Sequence, residues 1–212
     1  MEIVMKSVVN WGAAGIRGML ACTAALGMLT GCVSLTPYVD NGLHDVPASE
    51  MVKPAQTKPV QLMFEFQTKG APNGKATDAF NPQVASQVKA SGLFAEVEGK
   101  PVEGGAVLNV VINNIALNDD AASKGFQTGL TLGLKGNTVG DGYVCTMTYV
   151  PDAQGKQIVV TEKHAIYSTI GMAEPPANAT KAANLNEAVN TMMRQILDNA
   201  LLDLSKAPDF AK

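Results

Sequence analysis

Five residues in this chain have side chains suited to nucleophilic, acyl-accepting or metal-binding chemistry: Cys22, Cys32, Cys145, His44 and His164. A thiol beside an imidazole base is the core of a covalent catalyst, and Cys145 and His164 fall in two neighbouring strand-like runs where such a pair could meet. No third residue to orient the base can be named. A thiol-dependent enzyme therefore stands as an alternative, while the expectation is a chain that is not an enzyme and uses neither a cofactor nor a metal. His44 has no companion ligands around it. Cys32 has a different context, because it closes an apolar run, Met19 to Cys32 (MLACTAALGMLTGC), whose last four residues are Leu29-Thr30-Gly31-Cys32.

That run positions Cys32. It is about a dozen residues long and follows a region whose only charged groups are Glu2, Lys6 and Arg17, which is the layout of a secretory signal. It is too short to cross a bilayer core, which takes roughly 20 apolar residues as a helix. Met1, Met5 and Met19 are all candidate starts, and the processed product is the same from Met1 or Met5.

With its apolar run and the sequence Leu29-Thr30-Gly31-Cys32, the chain resembles bacterial lipoproteins, whose lipobox is a leucine, a small or hydroxylated residue, glycine or alanine, and then cysteine. The resemblance implies diacylglycerol on the sulfur of Cys32, cleavage between Gly31 and Cys32, and acylation of the new amino terminus. In that family an aspartate just after the cysteine favours retention in the inner membrane. Val33 and Ser34 stand there instead, so the resemblance implies the periplasmic face of the outer membrane of a Gram-negative bacterium, with the membrane itself as one partner.

Removing residues 1–31 from the 212 leaves 181, enough for one domain with a sizeable core. The processed chain has 14 basic groups against 18 acidic ones, a net charge of −4, and Arg194 is its only arginine. Nucleic-acid binding calls for clustered lysine and arginine, so it is excluded as a class. Cys22 leaves with the signal and Cys32 is taken by lipid. Cys145 is then without an intramolecular partner, which excludes a disulfide scaffold.

Residues 32–58 hold Pro37, Pro47 and Pro54 among polar residues without an apolar period, and are expected to be the lipidated terminus and a flexible tether. The domain is expected over 59–207, with a tail at 208–212. Val60–Gln67 reads as a strand with Leu62, Phe64 and Phe66 on one face. Asn81-Pro82 reads as a helix start and Ser91-Gly92 as its stop. Leu93–Glu98, Ala106–Asn118, Tyr143–Val150 and Gln157–Thr169 read as further strands, the last two joined as a hairpin through Pro151–Gly155. Asn184–Ser205 carries an apolar stripe at helical spacing, with Asn184 and Glu187 placed as a capping box.

The expected fold class is α+β: a single mixed sheet of about five strands with two helices on one face. This element order is similar to periplasmic lipoprotein domains related to the amino-terminal domain of TolB and to the curli secretion lipoproteins.

The stretch 119–142 is a glycine-rich insertion. Gly125, Gly129 and Gly133 recur every fourth residue beside Phe126, Leu130 and Leu134, a small-xxx-small pattern that lets helices approach closely. Leu130, Leu132 and Leu134 also alternate with Thr131 and Gly133, as in a strand. Two readings follow: a connection folded over its own sheet, or a segment that touches lipid or copies of itself. The functional expectation is an outer-membrane-anchored periplasmic lipoprotein serving as a structural or accessory subunit that binds another envelope component. The alternative is an oligomeric, pore-like lipoprotein that inserts residues 119–142.

Overall fold

Strand β5, Ala106–Leu117, shows how the fold is built, because buried apolar residues recur at every second position from Ala106 to Ile112. Leu108, Val110 and Ile112 are fully buried on one face, while Asn109, Val111 and Asn113 lie on the other, partly exposed. The computed structural model describes residues 35–117, 138–152, 155–174 and 176–210. In chain order their strands are β1 Leu35–Asp40, β2 Val60–Thr68, β3 Ala71–Pro72, β4 Val97–Glu98, β5, β6 Thr138–Val150, β7 Ile158–Ile170 and β8 Ala179–Lys181. The helices are α1, Gly74–Ala90, and α2, Leu185–Lys206, with a short 3-10 turn at Ala48–Glu50.

The strands form one mixed sheet in the order β3-β2-β5-β6-β7-β1-β8, with β4 beside β2. The β2–β5 and β2–β4 pairs are parallel and the others antiparallel. Residues of both helices join the inner face of the sheet in one core, and the helices touch each other. The α+β class with a mixed sheet and two helices is what the sequence led us to expect. The sheet, however, has eight strands rather than five.

The three added strands are β1, β3 and β8. β1 was expected within the tether, yet it pairs with β7 from Leu35↔Ile170 to Val39↔Ile166 and buries Val39. Pro37 fits because its backbone faces the β8 side, where its carbonyl accepts from the Ala182 N–H (3.0 Å). No ladder bond is lost, since β8 pairs only with Tyr38–Asp40. Val46 and Met51 are also buried in the core, so residues 35–58 belong to the folded domain and are not a flexible tether. β3 and β8 are too short to show a period. Leu93–Glu98, read as a strand, is extended only at Val97–Glu98.

Helix α1 is capped at Asn73, eight residues before the expected cap Asn81. Asn73 accepts the Ala76 N–H through its side chain (3.2 Å) and the Thr77 N–H through its carbonyl (2.9 Å). The Thr77 hydroxyl in turn accepts the Phe66 N–H (2.9 Å), fixing the helix start to β2. Pro82 consequently lies inside the helix, on its exposed side, where its missing N–H is least costly. At the other helix, Asn184 accepts the Glu187 N–H (3.0 Å) and Glu187 reaches back to the Ala183 N–H (2.7 Å), one residue beyond an ordinary capping box.

Residues 138–142, expected in the insertion, instead begin β6: all five pair with β7, and 140–142 pair with β5 as well. Gly140 is closely packed there. A Cβ on it would lie 3.1 Å from the Leu117 Cβ and 3.3 Å from the Tyr167 ring. Leu117, Ala165 and Tyr167 form a second, smaller buried cluster on the face away from the helices.

Candidate functional site

A groove of about 460 Å³ lies where α1, α2 and the segment 45–51 meet. Its floor is apolar, with Val46 and Met51 each only 5% exposed and Ala90 beside them. Its walls are Ser86 and Gln87 of α1 and Asn190, Arg194 and Asp198 of α2. Helical spacing accounts for the α2 wall: Asn190, Arg194 and Asp198 recur every fourth residue and share one face.

Hydrogen bonds lace the walls together. The Gln87 side-chain amide donates to Asp198 Oδ1 (2.8 Å) and to the Arg194 carbonyl (2.7 Å), tying α1 to α2. The Arg194 guanidinium meets Asp45 at 2.9 and 3.1 Å, and Asn199 donates to the His44 carbonyl (2.8 Å). Lys53 donates to the Ser91 carbonyl, so the segment is held at both ends. Burial raises the Asp198 carboxyl above the ordinary carboxylate range, against the lowering by the Gln87 amide and Arg194. The Arg194 charge is matched by Asp45. Chemically, the groove offers amide, hydroxyl and carboxyl groups above an apolar floor.

The groups able to ionise in the core lie elsewhere. Cys145 and His164 are on adjacent strands, and the register puts Tyr143 opposite His164 and Cys145 opposite Glu162, so the thiol and imidazole are diagonal neighbours on the inner face. Burial, with Glu162 nearby, pushes the Cys145 thiol up to about 12, leaving it protonated at neutral pH and without nucleophilic character. Burial lowers the His164 pKa as well. Its Nε2 sits 2.8 Å from Gln195 Oε1, and Nδ1 has no hydrogen-bond partner among the described residues. Glu162 shares a hydrogen bond with Asp203 of α2, and burial together with that carboxyl raises it to about 7. Asp40 is buried and accepts from the Gly42 N–H (2.7 Å) and the Tyr167 hydroxyl (3.2 Å).

Of the residues singled out from sequence, Gly31 and Cys32, and Gly125, Phe126, Gly129, Leu130, Gly133 and Leu134 of the insertion, lie outside the described residues. His44 lends only its carbonyl. The asparagines of β5 are hydrogen-bonded sheet positions: Asn113 accepts the Gly70 N–H (2.9 Å) and Asn114 donates to the Gly142 carbonyl (3.3 Å). The groove itself was not foreseen, because one of its three sides is the segment read as tether. Among the described residues no group of three or more His, Cys, Asp or Glu could hold a metal, and no helix is long and apolar enough to cross a membrane.

Neither a protein-family model nor a curated protein matches the chain. Among similar solved structures is a minor lipoprotein from Acinetobacter baumannii, at 16% identity over 72% of this chain and 91% of that one, with a TM-score of 0.40. The rare lipoprotein B from Shewanella oneidensis is 10% identical over 70% of this chain and 94% of that one, at 0.37. The PelC dodecamer from Paraburkholderia phytofirmans is 11% identical over 78% and 96%, at 0.33. Bacterial lipoproteins thus stand among the structural neighbours at low identity. At these scores the likeness carries nothing about the role of this chain.

Proposed function

We propose that this chain is a lipoprotein of the bacterial envelope, held at the periplasmic face of the outer membrane by acyl chains on Cys32 and acting as a non-catalytic accessory subunit that binds another envelope component. The observation that carries the reading is Leu29-Thr30-Gly31-Cys32 at the end of a short apolar run, three residues before the first strand of a folded domain. A single acyl chain gives only marginal attachment and two or more give stable anchoring, so triacylation of Cys32 would suffice without a spanning segment. The fully buried, protonated Cys145 supports a binding role over thiol catalysis.

The binding surface in this reading is the groove between α1 and α2. Arg194 is paired with Asp45, and Asp198 with the Gln87 amide. An uncharged stretch of polypeptide, able to exchange amide hydrogen bonds and seat a small apolar side chain on Val46 and Met51, suits it.

Fractionation tests the anchor. Cys32→Ala should leave the precursor unprocessed and remove the mature form from the outer membrane, and Val33→Asp should shift it to the inner membrane. Unchanged processing and location for Cys32→Ala would reject the reading. Photo-crosslinking in intact cells tests the groove: a crosslinker at Gln83, on its rim, should capture a protein that one at exposed Asp78 does not. Equal capture from both positions would exclude the groove.

A further inference from the structure

Leu35 is the first residue of β1 and pairs with Ile170, the last residue of β7; on the other side of β7, Thr138 at the start of β6 pairs with Thr169. The start of β1, the start of β6 and the end of β7 therefore form one end of the sheet. The sheet's alternation puts Leu35, Ile170 and Val139 on the same face as buried Val39, Ile166 and Tyr143, but beyond the shelter of the core. Leu35 is 53% exposed and Val139 52%. Just past Ile170 the chain turns at Gly171, whose φ of +68° suits glycine, and presents Met172 fully to solvent. Three of the seven large apolar side chains exposed among the described residues thus gather at this end. The far end is different, since the β6–β7 connection carries exposed Asp152 and Lys156.

Cys32 precedes Leu35 by three residues. Three trans peptide units reach at most about 11 Å between Cα atoms, whereas each headgroup layer of a bilayer is several ångströms deep. A sulfur carrying acyl chains would then keep Leu35 at the membrane surface, with no tether long enough to lift the domain away. We propose that this end of the sheet, formed by Leu35, Val139, Ile170 and Met172, lies against the bilayer that holds the Cys32 lipid and contacts its headgroup–acyl boundary. The lipid fixes one point of the domain at the surface, and the apolar rim fixes its orientation. β6 and β7, 13 residues each and so about 40 Å long, carry the 151–157 connection away from the membrane. The proposal rests on the lipid anchor proposed above.

The test uses the purified lipidated protein in vesicles of phosphatidylethanolamine and phosphatidylglycerol, with and without brominated acyl chains. The only tryptophan, Trp11, leaves with the signal, so Met172→Trp and Lys156→Trp each introduce a single reporter. The reporter of Met172→Trp is expected to shift to the blue and lose most of its emission to bromine, while that of Lys156→Trp is expected to do neither. Equal quenching at the two positions, or none at either, would overturn the orientation. A blue shift in Met172→Trp without bromine quenching would also overturn it, because a second protein copy would then be covering the rim. The mass of the processed chain and its flotation with vesicles separate the two levels. An unacylated Cys32 removes both the anchor and the orientation; an acylated, floating Met172→Trp protein with an unquenched reporter removes the orientation alone.

Discussion

Glu162 gives the domain a pH dependence of definite sign. It projects from the inner face of β7 toward Asp203, with which it shares a hydrogen bond, and burial together with that second carboxyl raises its pKa from 4.5 to about 7. The folded protein therefore keeps a proton that the unfolded chain releases. Stability from this group is fully present below pH 4.5 and is lost as pH rises to 7, since folding is favoured wherever the folded state binds more protons. At about 1.36 kcal/mol for each pH unit between the two values, the unscreened loss is about 3.4 kcal/mol. Glu162 is only half-buried, and solvent screening reduces this to about 1 kcal/mol. Glu162→Gln stays neutral at every pH and keeps hydrogen-bonding capacity toward Asp203. It should match the native protein near pH 4.5 and exceed it by about 1 kcal/mol at pH 8, a rise of about 2–4 °C in melting temperature for a domain of this size. Urea denaturation of both proteins from pH 4.5 to 8 measures the difference. His164 acts in the opposite direction: its lowered pKa contributes stability that is present above about 6.5 and lost as pH falls below it. This contribution is common to both proteins and cancels. Parallel curves, or a variant weaker at pH 8 than the native protein, would refute the argument.

Three other outcomes follow from the packing. Gly140→Val would press a branched side chain against Leu117 and Tyr167, already 3.1 and 3.3 Å from where a Cβ would stand, and should cost about 1–3 kcal/mol by thermal denaturation. Leu201→Ala empties part of a fully buried site and should lower unfolding free energy by about 2–5 kcal/mol in urea titration, with little change in m-value. Arg194→Gln removes an ion pair whose side chains are 45% and 61% exposed. It should change stability by less than about 1 kcal/mol, so any larger loss of photo-crosslinking from the groove reports on binding and not on folding.

Where apolar residues repeat over ten residues or more, the fold was legible in the sequence. β5 and α2 were read nearly to their ends because Leu108, Val110 and Ile112, and Met192, Ile196 and Ala200, mark a single face each. β1 carried the same signal in a shorter span: Leu35, Pro37 and Val39 alternate with Thr36 and Tyr38. Its proline argued for a tether, and only the pairing with β7 and the late end of β8 make that proline harmless. Val46 and Met51 follow no period. Their burial depends on a surface that α1 and α2 create together, which no local pattern encodes. For the same reason the groove was hidden while its individual residues were in plain view. Cys145 and His164 were placed correctly on adjacent strands, but the property that disarms the thiol, complete burial beside Glu162, belongs to the tertiary structure.

Intact-mass analysis of the chain extracted from outer membranes shows whether Cys32 becomes the lipid-bearing first residue of the mature protein. The expected species begins at Cys32 and is heavier than its polypeptide by a diacylglyceryl and an acyl group, with Cys32→Ala retaining residues 1–31 and gaining no lipid. A native chain of unmodified polypeptide mass, or one whose first residue lies elsewhere, would contradict that assignment.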